Sequence, residues 1–167
     1  TPTYFSADAP LWFIWAIQQY FKRYPSPKDI WNHYGDAIKE ILESYNNSTL
    51  GYIGTTNEGL VYAEKENVAL TWMNSYVDGK PVVQRVGMPV EINALWFNAI
   101  CFTLDLADLA GDYDFIEKWK HMVEKVGKAF LQTFWQKGHE HLADVVHNGV
   151  DDWSVRPNMV IAAAMDY

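Results

Sequence analysis

One segment near the middle of the sequence constrains the fold most, because a predicted β-hairpin there leads directly into a long apolar helix. Two runs that favour strands, 70–77 and 80–86, flank Asp78-Gly79, a dipeptide typical of tight hairpin turns since both residues tolerate positive φ angles. Most positions of the following segment, 90–110, are apolar. A helix that is apolar on almost all sides has to be buried, so other elements must pack around it.

The other predicted helices are of two kinds. Those over 8–23 and from residue 157 onward are also nearly apolar, whereas those over 27–45 and 113–137 carry apolar residues on one face only. This alternation favours two layers, with apolar helices in an inner ring and amphipathic helices in an outer ring. We therefore predict a mainly α fold with a short hairpin near 70–86, organised as an α/α barrel or a two-layer helical solenoid.

Charge and composition exclude several classes of function. The 13 basic and 21 acidic residues give a net charge of −8, which argues against nucleic acid as a partner. The length of 167 residues is enough for one domain with a core, and no apolar run of membrane-spanning length is apparent. The one cysteine, Cys101, cannot form an internal disulfide. We expect a cytoplasmic protein with no membrane partner.

Aromatic residues make up 16% of the chain, which leaves two interpretations open. They can provide flat faces on which sugar rings stack, or they can serve as large side chains of the core. For a single aromatic residue the core is the commoner role.

The predicted hairpin collects three polar or aromatic side chains. If the turn has two residues, Val77 pairs with Lys80, and counting outward places Trp72, Asn74 and Arg85 on one face. An indole, an amide and a guanidinium suit a polyhydroxylated ligand. An ordinary polar hairpin face is an equally good interpretation.

Other charged residues stand at predicted helix entrances. Glu91 is a substrate hydrogen-bond acceptor, a catalytic carboxylate or only a first-turn charge, and Asp8 is a helix cap or an acceptor for a sugar hydroxyl. Arg156 and Asn158 place a cation and an amide at the last helix, after the acidic segment 151–153, which is a solvated loop or a ligand rim.

The histidines do not form a recognisable metal motif. His139, His141 and His147 lack the spacing of a helical metal site, and no cysteine is nearby. The sequence also contains no glycine-rich phosphate loop. We expect no metal and no other cofactor.

Three segments carry a resemblance to a known family: SADAPLWFIWAIQQY (6–20), LTWMNSYVDGKPVVQRVGMPVEINALWFNAI (70–100) and SVRPNMVIAAA (154–164). They resemble the amylo-α-1,6-glucosidase domain of glycogen debranching enzymes of the bacterial type. The resemblance implies a partial (α/α)6 barrel, with residues 1–167 forming part of a single glucosidase domain that is truncated at its C-terminus.

The resemblance also implies a reaction and a partner. The substrate is an α-glucan, glycogen or limit dextrin, whose α-1,6-linked glucose is released with inversion by an acid and a base about 6.5–9.5 Å apart. Matching positions imply sugar-binding roles for Asp8, Trp72, Arg85, Glu91 and Arg156.

The position of the general acid departs from the family pattern. The family has Asp after Trp-Met, where this chain has Asn74, and an amide has no acidic proton to give. The change is either a natural variant or an engineered one. The family's base lies beyond Tyr167, so we expect this chain alone to be inactive and to need the remainder of its own longer chain. A non-catalytic carbohydrate-binding relative and a helical interaction module are the alternatives.

Overall fold

The computed structural model describes residues 6–167. Within that range the chain forms helices and short antiparallel strands, and the mainly α prediction is confirmed. In chain order the elements are α1 (Ala9–Arg23), α2 (Pro27–Asn46), β1 (Ile53–Thr55), β2 (Val61–Ala63), β3 (Tyr76–Val77), β4 (Lys80–Pro81), β5 (Met88–Pro89), α3 (Val90–Ala110), α4 (Tyr113–Trp119), α5 (His121–Phe134), β6 (Val145–His147), β7 (Val150–Asp152) and α6 (Asn158–Ala163).

Helix α3 is the centre of the fold. Fifteen of its 21 residues are buried, and it packs against α1, α2, α4, α5 and α6. Its apolar character on nearly all sides requires such cover, so the burial predicted for 90–110 is confirmed. By length and composition alone α3 could cross a membrane, contrary to the sequence-based expectation, but 83% of its apolar window is buried within the fold. Core helices of globular proteins have the same property.

Helix α1 is buried on one side only. Leu11, Ile14 and Ile17 belong to the core, whereas Phe13 is 40% exposed and Tyr20 is 51% exposed. The expectation that this helix is buried on every face is therefore wrong for the described residues. The physical reason is that the elements packed against α1 here are α2 and α3, which cover one side of it.

The predicted helix over 113–137 is two helices. The carboxylate of Asp112 caps α4 by accepting a hydrogen bond from the Phe115 amide at 3.0 Å. Lys120, between α4 and α5, keeps helical dihedral angles of φ −53° and ψ −32°. The interruption is thus a local gap in the hydrogen-bond ladder and not a turn, and α5 ends at Phe134.

The central hairpin is much shorter than its sequence predicts. The turn is confirmed, since Val77 pairs with Lys80 and the turn residues Asp78 and Gly79 have φ angles of 49° and 75°. After the next pair, Tyr76 with Pro81, one more backbone bond forms, from the Val82 amide to the Ser75 carbonyl at 2.9 Å, and no further strand pairing follows between these two segments. The strands predicted over 70–77 and 80–86 therefore form only over Tyr76–Val77 and Lys80–Pro81, and the pairing expected to align Trp72, Asn74 and Arg85 is absent.

A three-stranded antiparallel sheet of β5, β6 and β7 lies at the start of α3. Strand β6 lies between β5 and β7, with Pro89 opposite Val145 and Val145 opposite Asp152. The carbonyl of Asp144 accepts a hydrogen bond from the first amide of α3, Val90, at 3.0 Å. This sheet brings two aspartates from late in the chain beside the N-terminus of the central helix.

Candidate functional site

A buried ion pair lies at the N-terminus of α3. Arg85 donates from Nη1 and Nη2 to the two carboxylate oxygens of Glu91, at 2.5 and 2.6 Å. Their side chains are 1% and 0% exposed. Burial raises the pKa of Glu91, and the hydrogen bonds and charge of Arg85 act in the opposite direction. This bidentate geometry fixes the guanidinium plane as well as the charge.

Asp144 connects this pair to the rest of the site. Its fully buried carboxylate accepts hydrogen bonds from Arg85 Nε at 3.0 Å, Arg156 Nη1 at 2.7 Å and Asn158 Nδ2 at 2.6 Å. Burial acts to lower the pKa of Arg85, but the carboxylates of Glu91 and Asp144 raise it overall, so the guanidinium is charged. Each buried charge in this cluster therefore has an opposite charge in contact with it.

The cluster reaches the surface at Arg156 and Asp152. Arg156 Nη1 also donates to the Asp152 carboxylate at 2.7 Å. Burial alone would raise the pKa of Asp152, but hydrogen bonds from Ser154 and Arg156 lower it to about 2. We call the residues joined in this way the α3 charge cluster; they are Arg85, Glu91, Asp144, Asp152 and Arg156.

The indole ring of Trp72 is linked to the α3 charge cluster by hydrogen bonds through the side-chain amide of Asn158. Trp72 Nε1 donates to Asn158 Oδ1 at 2.8 Å, and Asn158 donates in turn to Asp144. The Trp72 side chain is 43% exposed. An indole anchored by its N–H and open to solvent is an arrangement on which a sugar ring can stack.

Asn74 lies in the exposed segment just before β3. Its side chain makes no hydrogen bond within residues 6–167, and a chain of two residues keeps its Cα within about 7 Å of the Trp72 Cα. The position predicted for the general acid is thus near Trp72 along the backbone, and its side chain is exposed.

Asp8 is separate from the α3 charge cluster. It occupies the N-cap position of α1, as one of its two interpretations expects, but its side chain makes no capping hydrogen bond. Its buried carboxylate accepts instead from Ser6 Oγ at 2.6 Å. Burial and the charge of Asp8 raise the pKa of the neighbouring Tyr45, whose hydroxyl donates to the Ala7 carbonyl.

The structure thus joins four of the six predicted site residues in one hydrogen-bonded network. Asn74 is two residues from Trp72 in the chain, and the Asp8 side chain makes no hydrogen bond to the network within the described residues. The four that are joined are Trp72, Arg85, Glu91 and Arg156.

Sequence reasoning missed the residue that holds the network together. Asp144 is a lone carboxylate within the apolar run 142–146, and a buried carboxylate needs a cationic or hydrogen-bonding partner. That pattern is the signal that could have found it. Asn158 lies beside Arg156 in the sequence, but its partner Trp72 is 86 residues away, so local sequence does not indicate its role.

The histidine-rich segment contributes a ring stack. His139 lies parallel to Trp153, with ring centroids 3.4 Å apart and planes inclined by 8°. Among residues 6–167, no group of three or more histidine, cysteine or acidic side chains is placed to hold a metal ion.

Chemically, the site offers an aromatic face and fixed polar groups, but its buried carboxylates are occupied. Glu91 and Asp144 are both engaged by Arg85, and neither is free to activate a water molecule. The arrangement suits recognition of a polyhydroxylated ligand.

One known family matches the sequence of this chain. The sequence profile of the family described as amylo-alpha-1,6-glucosidase matches residues 1–167, which is the whole chain. Among curated proteins, no sequence matches this chain. A match that covers every residue, including Trp72 and all of the α3 charge cluster, identifies the chain as a member of the amylo-alpha-1,6-glucosidase family.

Proposed function

We propose that the chain is a glycoside hydrolase-type domain that acts on α-1,6-linked glucose at the branch points of glycogen or limit dextrins. The proposed reaction inverts the configuration at the anomeric carbon. Membership of the family supports this assignment. The single observation that carries it is the anchored and half-exposed ring of Trp72, two residues from the position of the general acid. We also propose that α1, α3 and α6 belong to the inner layer of a partial (α/α)6 barrel.

The residues of the site divide into two roles in this proposal. Trp72 stacks on a sugar ring, and Arg156, at the outer end of the α3 charge cluster, donates to sugar hydroxyls. Arg85 and Glu91 are too buried to meet the substrate in this arrangement. They act by holding the start of α3 and the carboxylate of Asp144 in place.

Asn74 favours a second candidate function, a relative that binds carbohydrate without cleaving it. An amide can donate a hydrogen bond to a glycosidic oxygen but cannot protonate the leaving group. Glu91, Asp144 and Asp152 are all paired with arginine, which leaves no unpaired carboxylate in the cluster to act as a base. Both candidates require the same sugar-binding site, and they differ in turnover only.

Calorimetric titration with maltotetraose bearing one α-1,6-linked glucose tests the shared site. We expect binding that Trp72→Ala weakens about tenfold, because one stacking face is lost. Trp135→Ala is the matched control, since Trp135 is also exposed and makes no polar contact with the cluster. It should leave the affinity unchanged.

Two results would contradict the proposal. Unchanged affinity of Trp72→Ala together with a large fall in melting temperature would assign Trp72 to packing. Absence of any binding by the parent protein, to this oligosaccharide or to linear maltopentaose, would instead favour a helical interaction module.

A further inference from the structure

The orientation of the exposed Trp72 ring depends on one polar atom. The indole Nε1–H is a donor with no acceptor capacity, and its partner is Asn158 Oδ1 at 2.8 Å. The second side-chain torsion of tryptophan has a broad energy profile, so a half-exposed ring without such a bond can rotate. The plane offered to a ligand is therefore set by Asn158.

The amide of Asn158 can face only one way. Its Nδ2 group donates to Asp144 Oδ1 at 2.6 Å, and the Asp144 carboxylate also accepts from Arg85 and Arg156, so it is an acceptor throughout the cluster. Because the NH2 group is committed to Asp144, the carbonyl oxygen must point to Trp72. Asn158 is completely buried, so solvent does not compete for either bond.

Asp144 is itself immobilised on every side. Its carboxylate is held by Arg85 and Arg156, and its backbone amide donates to the Asp152 carbonyl at 2.7 Å. The backbone carbonyl of Asp144 accepts a hydrogen bond from the amide of Val90, the first residue of α3. A continuous path of hydrogen bonds thus runs from the central helix to the exposed ring.

We propose that Asn158 and Asp144 are positioning residues that fix the indole plane of Trp72 for a bound sugar. Asn158 links the two groups, because its Oδ1 accepts from the indole N–H of Trp72 while its Nδ2 donates to the carboxylate of Asp144. The inference rests on the proposed function, because it assigns the ring to sugar binding.

A double-mutant cycle tests this role in the folded protein. The variants are Asn158→Leu, which keeps the side-chain size, Trp72→Phe, which keeps an aromatic face without the N–H, and the combination of both. The probe is maltotetraose bearing one α-1,6-linked glucose. The buried Asn98 is the matched control, since its amide pairs with Gln18 away from the cluster; Asn98→Leu should lower stability but not affinity.

We expect Asn158→Leu to weaken binding about threefold to tenfold, as for the loss of one buried hydrogen bond. In the Trp72→Phe background, Asn158→Leu should have no further effect, because no indole remains to be positioned. The indole N–H resonance of Trp72, assigned by its loss in Trp72→Phe, should shift in Asn158→Leu and stay in place in Asn98→Leu.

The outcomes separate this inference from the proposed function. If the parent binds the probe and Asn158→Leu binds it equally well, or if the two substitutions add fully, the positioning role is wrong and the sugar site stands. If the parent does not bind the probe, both fail. Should Asn158→Leu not fold, Trp72→Phe alone decides, since affinity equal to that of the parent would overturn the role of the indole bond.

Discussion

At the scale of single residues, we expect the loss of the Arg85 side chain to lower the stability of the fold most. It neutralises two buried carboxylates, Glu91 and Asp144, through five hydrogen bonds that include one to the Asp144 carbonyl. Removing one partner of a buried ion pair leaves an uncompensated charge in a medium of low polarity.

We predict that Arg85→Met lowers the free energy of unfolding by about 3–5 kcal/mol, because Glu91 loses its cation and Asp144 keeps only Arg156. Arg156→Met should have a smaller effect, since Arg156 is partly exposed and Asp144 retains Arg85. Urea denaturation of the two variants and the parent measures the difference. Equal and small losses would show that the α3 charge cluster is not the buried structural unit described above.

Asp152 should control the behaviour of the protein in acid. Its pKa is about 2 in the folded protein, below the value of about 3.9 expected for an unfolded chain. A lowered carboxyl pKa gives stability that is complete above pH 4 and is lost as the pH falls toward 2. We predict that the melting temperature falls less steeply over this window in Asp152→Asn than in the parent. If the melting temperatures of Asp152→Asn and the parent fall equally between pH 4 and pH 2, the prediction is wrong.

Only part of the site was predictable at this scale. Trp72, Arg85, Glu91 and Arg156 lie in segments that resemble the family, and the structure joins them. Asp144 lies in a short segment outside those runs, so its partners become evident only when β6 is placed beside α3. The separation of Asp8 from the cluster depends on how α1 packs, which local sequence does not determine.

At the scale of elements, Asp112 joins two helices of the amphipathic kind. One of its carboxylate oxygens caps α4 at Phe115, and the other accepts from Lys39 of α2 at 2.5 Å and from Trp31 at 3.3 Å. These bonds and the charge of Lys39 lower the pKa of Asp112. The cap and the link between helices therefore depend on the same side chain.

We predict that Asp112→Ala lowers the free energy of unfolding by about 1–2 kcal/mol, the usual effect of losing a helix cap. Asp112→Asn should lose about half as much, because the amide oxygen can still accept from Phe115 while the ion pair with Lys39 is lost. Chemical denaturation distinguishes them. If the two variants lose the same stability, the charge contributes more than the cap.

Helices were easier to predict than the hairpin for a physical reason. The boundaries of α1, α2 and α3 follow from local signals, such as Pro27 in the first turn of α2 and the left-handed Gly111 after α3. The hairpin strands are shorter than predicted because tertiary interactions of their side chains replace cross-strand pairing. Arg85 lies in a predicted strand, but its charge is better satisfied by two buried carboxylates than by a cross-strand neighbour.

At the scale of the whole molecule, the described residues leave apolar side chains of α1 and α6 open to solvent. Phe13 and Tyr20 lie on the open side of α1, and Asn158 is the one buried residue of α6. Exposed apolar area stabilises association by about 25 cal/mol for each Å² that becomes covered.

We therefore predict that residues 1–167 alone self-associate and bind a hydrophobic dye. Replacing Phe13 and Tyr20 by lysine should reduce both effects, whereas Leu131→Lys, at an exposed position of α5, should not. Sedimentation velocity measures the association. A monomer that binds no dye and melts in one sharp transition would contradict this prediction and favour a self-contained helical domain.

Position 74 is the proposed place of the general acid, two residues from the anchored indole of Trp72, and glucose release by Asn74→Asp tests this most directly. In the full-length protein, with maltotetraose bearing one α-1,6-linked glucose as substrate, we predict that Asn74→Asp releases glucose about 10²–10⁴ times faster than the parent, the usual range for general acid catalysis. Ser75→Asp, which places a carboxylate one residue away, should leave the parent rate unchanged. Equal rates for Asn74→Asp and the parent would contradict the assignment of position 74.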